Sequence, residues 1–95
     1  MKHNYAQIFK ALSDENRLKI LELLIQGETC GCTLIDKLPI TQPTLSYHLK
    51  TLTEVGLTKA YRDGNWIKHH VDIKKIDELI EFLSKLKVSQ ASCKV

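Results

Sequence analysis

The sequence predicts a mainly α-helical domain carrying one β-hairpin, on three observations. Apolar residues recur at helical spacing through most of the chain, and a three-residue turn, Pro39-Ile40-Thr41, separates two of the helical stretches. After Leu57 the pattern becomes strand-like, and Asp63-Gly64 lies between two such runs. Helix, turn, helix and hairpin in that order predict a winged helix-turn-helix.

Tyr5, Ile8, Phe9 and Leu12 follow an i, i+3, i+4, i+7 pattern and predict a short amphipathic first helix. Ser13 is expected to cap the second, followed by Asp14 and Glu15 at the positive end of its dipole. Leu18, Leu21, Leu24 and Ile25 are expected to form its core face, Arg17 and Lys19 its solvated face, and Gly27 its stop.

The stretch Thr33 to Leu57 organises the rest. Thr33 with Asp36 resembles a capping box, which starts the third helix at Thr33 and leaves Cys30-Gly31-Cys32 in an irregular turn. That placement matters, because thiols two residues apart within a helix point to opposite faces, whereas in a turn with a central glycine they can share one ion. Thr41 is expected to cap the fourth helix through its side-chain oxygen, and Pro43 is tolerated in the first turn, where backbone donors have no helical partner. Leu45, Leu49 and Leu52 form its apolar stripe; Gln42, Thr44, Ser46, Tyr47 and Lys50 fall on or beside the wet face; Gly56 ends it. Amide, hydroxyls, a phenol and a cation, without carboxylates, suit base edges and phosphates. A polar helix face is most often merely solvated, and it is the preceding helix and turn that make double-stranded DNA the expected partner.

Two strands, from Thr58 and from Trp66, would form the wing, with Lys59, Arg62 and Lys68 facing phosphates and Asn65 able to reach a groove. The same lysines would also protect an ordinary edge hairpin from pairing with another sheet. The last helix starts near Ile73, and its stripe of Ile73, Ile76, Leu79, Ile80, Phe82, Leu83 and Leu86 is wider than one small domain needs. A second copy of the chain is the expected cover, giving a homodimer through the first and last helices with recognition helices about 34 to 36 Å apart. The polar tail, about 88–95, is expected to be mobile.

Ninety-five residues make one small domain, 1–95, with little room for a buried enzyme pocket. A net charge of +3 permits a nucleic-acid partner without demanding one. There is no P-loop, nucleophile elbow or dinucleotide-binding glycine motif, and a non-enzymatic role is expected. No apolar run spans a bilayer and the N-terminus lacks a signal-peptide core, so no membrane partner and a cytoplasmic location are expected. Cys30, Cys32 and Cys93 are an odd number without an export signal, which points to metal or redox chemistry rather than a disulfide framework. His48 is expected to pack or hydrogen-bond beside the stripe, and of His69 and His70 one should be packed and one exposed.

ALSDENRLKILELL, ETCGCTLIDKL, TQPTLSYHLKTLTEVGL and YRDGNWIKHHV, in that order, resemble the successive motifs of the ArsR/SmtB metal-sensing winged-helix repressors, arsenic-responsive type. The resemblance covers most of the chain. It implies a homodimer that binds operator DNA and lets go when a thiol-seeking ion binds, with arsenite or antimonite as inducer and cadmium or lead as further candidates. It implies Cys30 and Cys32 as ligands. Two departures stand out. One well-known kind of arsenic sensor has a third cysteine three residues after the second, where this chain has Ile35; Cys93, a partner-chain residue, a small thiol or nothing then completes the site. Zinc sensors carry Asp/His and His/Glu pairs on the last helix, and here no histidine follows His70.

Three other readings compete. The thiols could form a redox switch, for which Cys30 with Cys93 or an intersubunit pair is easier than Cys30 with Cys32. A thiol reductase would more commonly show C-x-x-C near a βαβ unit. A protein-binding module without DNA would lack the steep salt dependence that phosphate contacts impose.

Overall fold

A computed structural model describes residues 4–91, with side chains described to residue 87. The order is α1 (Tyr5–Leu12), α2 (Glu15–Ile25), α3 (Gly31–Asp36), α4 (Gln42–Glu54), β1 (Thr58–Asp63), β2 (Trp66–Val71) and α5 (Ile73–Ala91). This is the winged helix-turn-helix, mainly helical with one antiparallel hairpin. The expected mobility of the tail lies largely outside the described residues, as does Cys93.

The helix caps differ from the sequence reading in three places. Asp14, not Ser13, caps α2: its carboxylate accepts the N–H of Asn16 at 2.8 Å and of Arg17 at 3.1 Å. Ser13 instead closes α1, its hydroxyl and N–H both donating to Lys10 O. Both residues are good caps, and an ionised acceptor is the stronger one at a helix N-terminus. In α3, Cys30 takes the cap position in an extended conformation, φ −96° and ψ 138°, so the helix begins at Gly31 rather than Thr33. Thr33 lies inside it and its hydroxyl turns back to Cys30 O at 3.0 Å. Thr41 does precede α4, but its hydroxyl engages Thr44 Oγ1 at 3.0 Å instead of a backbone N–H.

One core joins the helices: Ile8 and Ala11 of α1, Ile20, Leu23 and Leu24 of α2, Leu34 and Leu38, Leu45, Leu49 and Leu52 of α4, Leu57, and Leu79 of α5. The expected α2 face is thus rotated. Leu24 is buried and Leu21 half-buried, but Leu18 and Ile25 are 46% and 65% exposed. ENRLKILELLI is apolar around most of its circumference, so spacing alone admits two faces, and packing against α4 selects the one through Ile20 and Leu23.

Gly56 follows α4 at φ 83°, turning the chain so that Asp72 N donates to Leu57 O at 2.9 Å. In the hairpin, Gly64 at φ 63° is the one central turn residue with positive φ, which makes a type II′ turn and pairs Asp63 with Trp66. The hairpin has a further neighbour: His69 N donates to Thr29 O at 2.9 Å, and Cys30 forms an antiparallel bridge with Lys68. β2 therefore lies between β1 and the two residues that lead into α3.

Tyr5 stacks on Phe82 with centroids 4.2 Å apart, tying α1 to α5. Leu79 is the buried member of the α5 stripe, while Ile73, Ile80, Leu83 and Leu86 remain exposed along it. Ile73 and Ile76 join Leu21, Ile25 and Val71 around an apolar groove between α2 and α5.

Candidate thiol site and nucleic-acid interface

Because Leu45, His48, Leu49 and Leu52 turn inward, α4 leaves Gln42, Thr44, Ser46, Tyr47 and Lys50 exposed. Arg62 and Asn65 are exposed at the wing tip. The other wing cations are engaged: Lys68 Nζ lies 2.8 Å from Asp63 Oδ2, and Lys59 Nζ 3.6 Å from Asp72. Those two pairs fold charge back onto the hairpin and leave Arg62 as its outward cation.

Arg17, expected on a solvated face, is half-buried. Its Nε donates to His48 Nδ1 at 3.1 Å and its Nη1 to Ala11 O at 3.2 Å, with the guanidinium 6.0 Å from the Tyr47 ring centroid. His48 is buried, as a hydrogen-bonding side chain beside the stripe, and its Nε2 lies 3.9 Å from Asp14. Partial desolvation pushes the Asp14 carboxyl up, but the N–H groups of Arg17 and Asn16 and the nearby charges outweigh it and hold the pKa below the ordinary value. No spacing rule pairs residues 17 and 48, so this contact was invisible in the sequence.

The thiols meet because Cys30 is outside the helix and Cys32 inside it. From its extended backbone the Cys30 side chain reaches forward, and its Sγ accepts the Cys32 N–H at 3.4 Å. The Cys32 thiol donates to Cys30 as well. That hydrogen bond, the Cys32 N–H and the Lys68 charge lower the Cys30 pKa, and the same thiol contact raises that of Cys32. Cys30 is thus the first of the two to ionise, and Cys32 the proton carrier.

Beside them is an open cavity of about 400 Å³. Cys30, Gly31 and Cys32 form one wall, Gln42, Leu45, Ser46 and Leu49 of α4 a second, and Trp66, Ile67 and His69 of β2 the third. His69 is half-buried and His70 exposed; burial lowers the His69 pKa, and its Nδ1 has no hydrogen-bond partner among the described residues. Among those residues no third His, Cys, Asp or Glu joins the thiols as a metal-holding group. The structure therefore brings together Cys30, Cys32, Gln42 and Ser46, and sets Arg62 and Asn65 apart at the wing tip.

Residues 14–59 match the family model described as "Bacterial regulatory protein, arsR family". The chain is similar to the arsenical resistance operon repressor of Staphylococcus aureus, 38% identical over 86 residues, covering 90% of this chain and 83% of that one. Among solved structures it is similar to an ArsR-like transcriptional regulator from Rhodococcus, with TM-score 0.82 and 26% identity over 90% of this chain and 79% of that one. It is also similar to a homodimeric winged helix-turn-helix DNA-binding domain from Mycobacterium bovis, with TM-score 0.68 and 26% identity over 96% of this chain and 87% of that one.

Proposed function

The chain belongs to the arsR family of bacterial regulatory proteins, and on that premise we propose that it is a homodimeric transcriptional repressor released from operator DNA by a thiol-seeking ion. Gln42, Thr44, Ser46, Tyr47 and Lys50 of α4 meet bases and phosphates in the major groove, while Arg62 and Asn65 of the wing contact the flanking backbone or groove. Cys30 and Cys32 hold the ion, arsenite or antimonite in first place, with cadmium or lead as softer-site alternatives and Cys93 as a candidate third ligand. The bare α5 stripe, together with α1, supplies the dimer contact, as the homodimeric M. bovis relative supports.

One observation carries the reading: the thiols and the DNA-facing Gln42 and Ser46 line the same cavity. An ion drawn in there changes the surroundings of the reading helix directly. To switch, it must bind the DNA-incompetent arrangement better than the competent one, by roughly 1 to 3 kcal/mol or more.

The test is fluorescence anisotropy of labelled DNA from upstream of this protein's own gene, titrated with reduced protein and then with arsenite. Release from the parent chain but not from a Cys30→Ser/Cys32→Ser variant is expected. Tight DNA binding that ignores arsenite, antimonite, cadmium and lead alike would overturn the ion-sensing reading.

A further inference from the structure

The wing wall of the thiol cavity is made by Trp66 and Ile67, whose side chains are 58% and 48% exposed. A hairpin that only lies along phosphates gains nothing from a bare indole and a bare isoleucine beside two thiols. Large apolar side chains exposed around a concavity mark a place where an apolar group binds. Leu49 of α4 faces them across the cavity.

Coordination arithmetic says which apolar group. Trivalent arsenic makes three bonds; Cys30 and Cys32 supply two, and no further His, Cys, Asp or Glu among the described residues joins them. We propose that the arsenical this site takes carries one carbon substituent on arsenic, aromatic for preference, and that the substituent sits in the cavity between Trp66 and Leu49. The inference rests on the reading of the thiol pair as the sensory site. An organoarsonous acid, R–As(OH)₂, forms two As–S bonds with Cys30 and Cys32 while two As–O bonds break. The two thiol protons leave with the two hydroxides as water, arsenic stays trivalent and the As–C bond is untouched. The third bond then needs no protein ligand. Inorganic arsenite, by contrast, leaves its third position to a hydroxide or to a thiol from elsewhere.

The test uses the full chain carrying Cys93→Ser, so that Cys30 and Cys32 are its only thiols, titrated with phenylarsonous acid and with arsenite. Native mass spectrometry counts the adduct, and the fluorescence of Trp66, the only tryptophan, reports occupancy of the cavity. One phenylarsenic per chain, a change in Trp66 emission and affinity at least tenfold above that for arsenite are expected. Trp66→Ala, and separately Ile67→Ala, should lower phenylarsonous acid affinity about five- to tenfold while leaving arsenite within twofold. A phenyl preference that survives both substitutions, or no preference in Cys93→Ser, would overturn the inference while leaving an arsenite-responsive repressor intact. Failure of both arsenicals to bind the pair would sink the sensory reading as well.

Discussion

Arg17 Nε donates to His48 Nδ1 across 3.1 Å, and with that bond the start of α2 grips the middle of the DNA-facing helix. The same guanidinium holds the carbonyl of Ala11, so α1, α2 and α4 converge on one side chain. Replacing it with leucine strands a buried imidazole nitrogen without a donor. Arg17→Leu should cost about 1 to 3 kcal/mol in urea unfolding, and Arg17→Lys should recover only part, since one ammonium cannot reproduce the fork. Wild-type stability in both variants would show that the contact is idle.

The cap of α2 gives a pH prediction. The folded-state pKa of Asp14 is depressed, so its stabilising contribution is present above the ordinary carboxylate value and is lost as pH falls through the lower folded value. Asp14→Ala should therefore cost about 1 kcal/mol near pH 7, and the gap from the parent should close as pH is lowered below about 4. Urea midpoints at pH 7 and pH 3 measure it; a gap independent of pH would contradict the carboxylate's role.

Gly56 has φ 83°, and a Cβ there would lie 3.1 Å from Lys75 Cε. The lysine tip can move aside; the backbone angle cannot. Gly56→Ala is expected to destabilise by about 1 kcal/mol or more, read as a lower thermal midpoint.

Alkylation should distinguish the two thiols. With its pKa lowered by the Cys32 hydrogen bond and Lys68, Cys30 holds more thiolate near neutrality than Cys32, whose pKa is raised. Limiting iodoacetamide at pH 7 followed by peptide mass mapping should find Cys30 modified first, although Cys32 is the more exposed. Lys68→Met should slow that reaction. Faster labelling of Cys32 would reverse the assignment.

On DNA, Lys50→Ala should weaken binding about equally for all sequences and reduce the slope of log affinity against log salt by about one. Gln42→Ala should instead relax preference at one base pair, by about 1 to 3 kcal/mol. Anisotropy across a salt series and a panel of operator variants separates the two roles.

Much of this fold was legible because its signals are local. The stripe of Leu45, Leu49 and Leu52, the Asp63-Gly64 turn and the terminal glycine of α4 each specify their own few residues, and they stand where spacing places them. What failed were choices between neighbours of nearly equal merit: Ser13 or Asp14 as cap, Cys30 or Thr33 at the start of α3, one apolar face of α2 or the other. Tertiary packing decides those. Arg17 and Lys68 were hidden for a different reason, since their partners lie far along the chain and no periodicity links them. For the site, Cys30-Gly31-Cys32 was conspicuous, but that Trp66 and Ile67 share its cavity follows only from folding the wing over α4.

The pairing of residues 29 and 30 with β2 has a mechanical corollary. Strand pairing has no intermediate setting: side chains alternate every residue, so a one-residue slip would swap Cys30 to the other side of the ribbon. Cys30 therefore either keeps its extended backbone and its grip on Lys68, or gives up both. Any ligand that rotates Cys30 out of that conformation unfastens an edge of the wing in the same movement that disturbs the start of α3, and one small displacement is felt at two places a DNA duplex would touch.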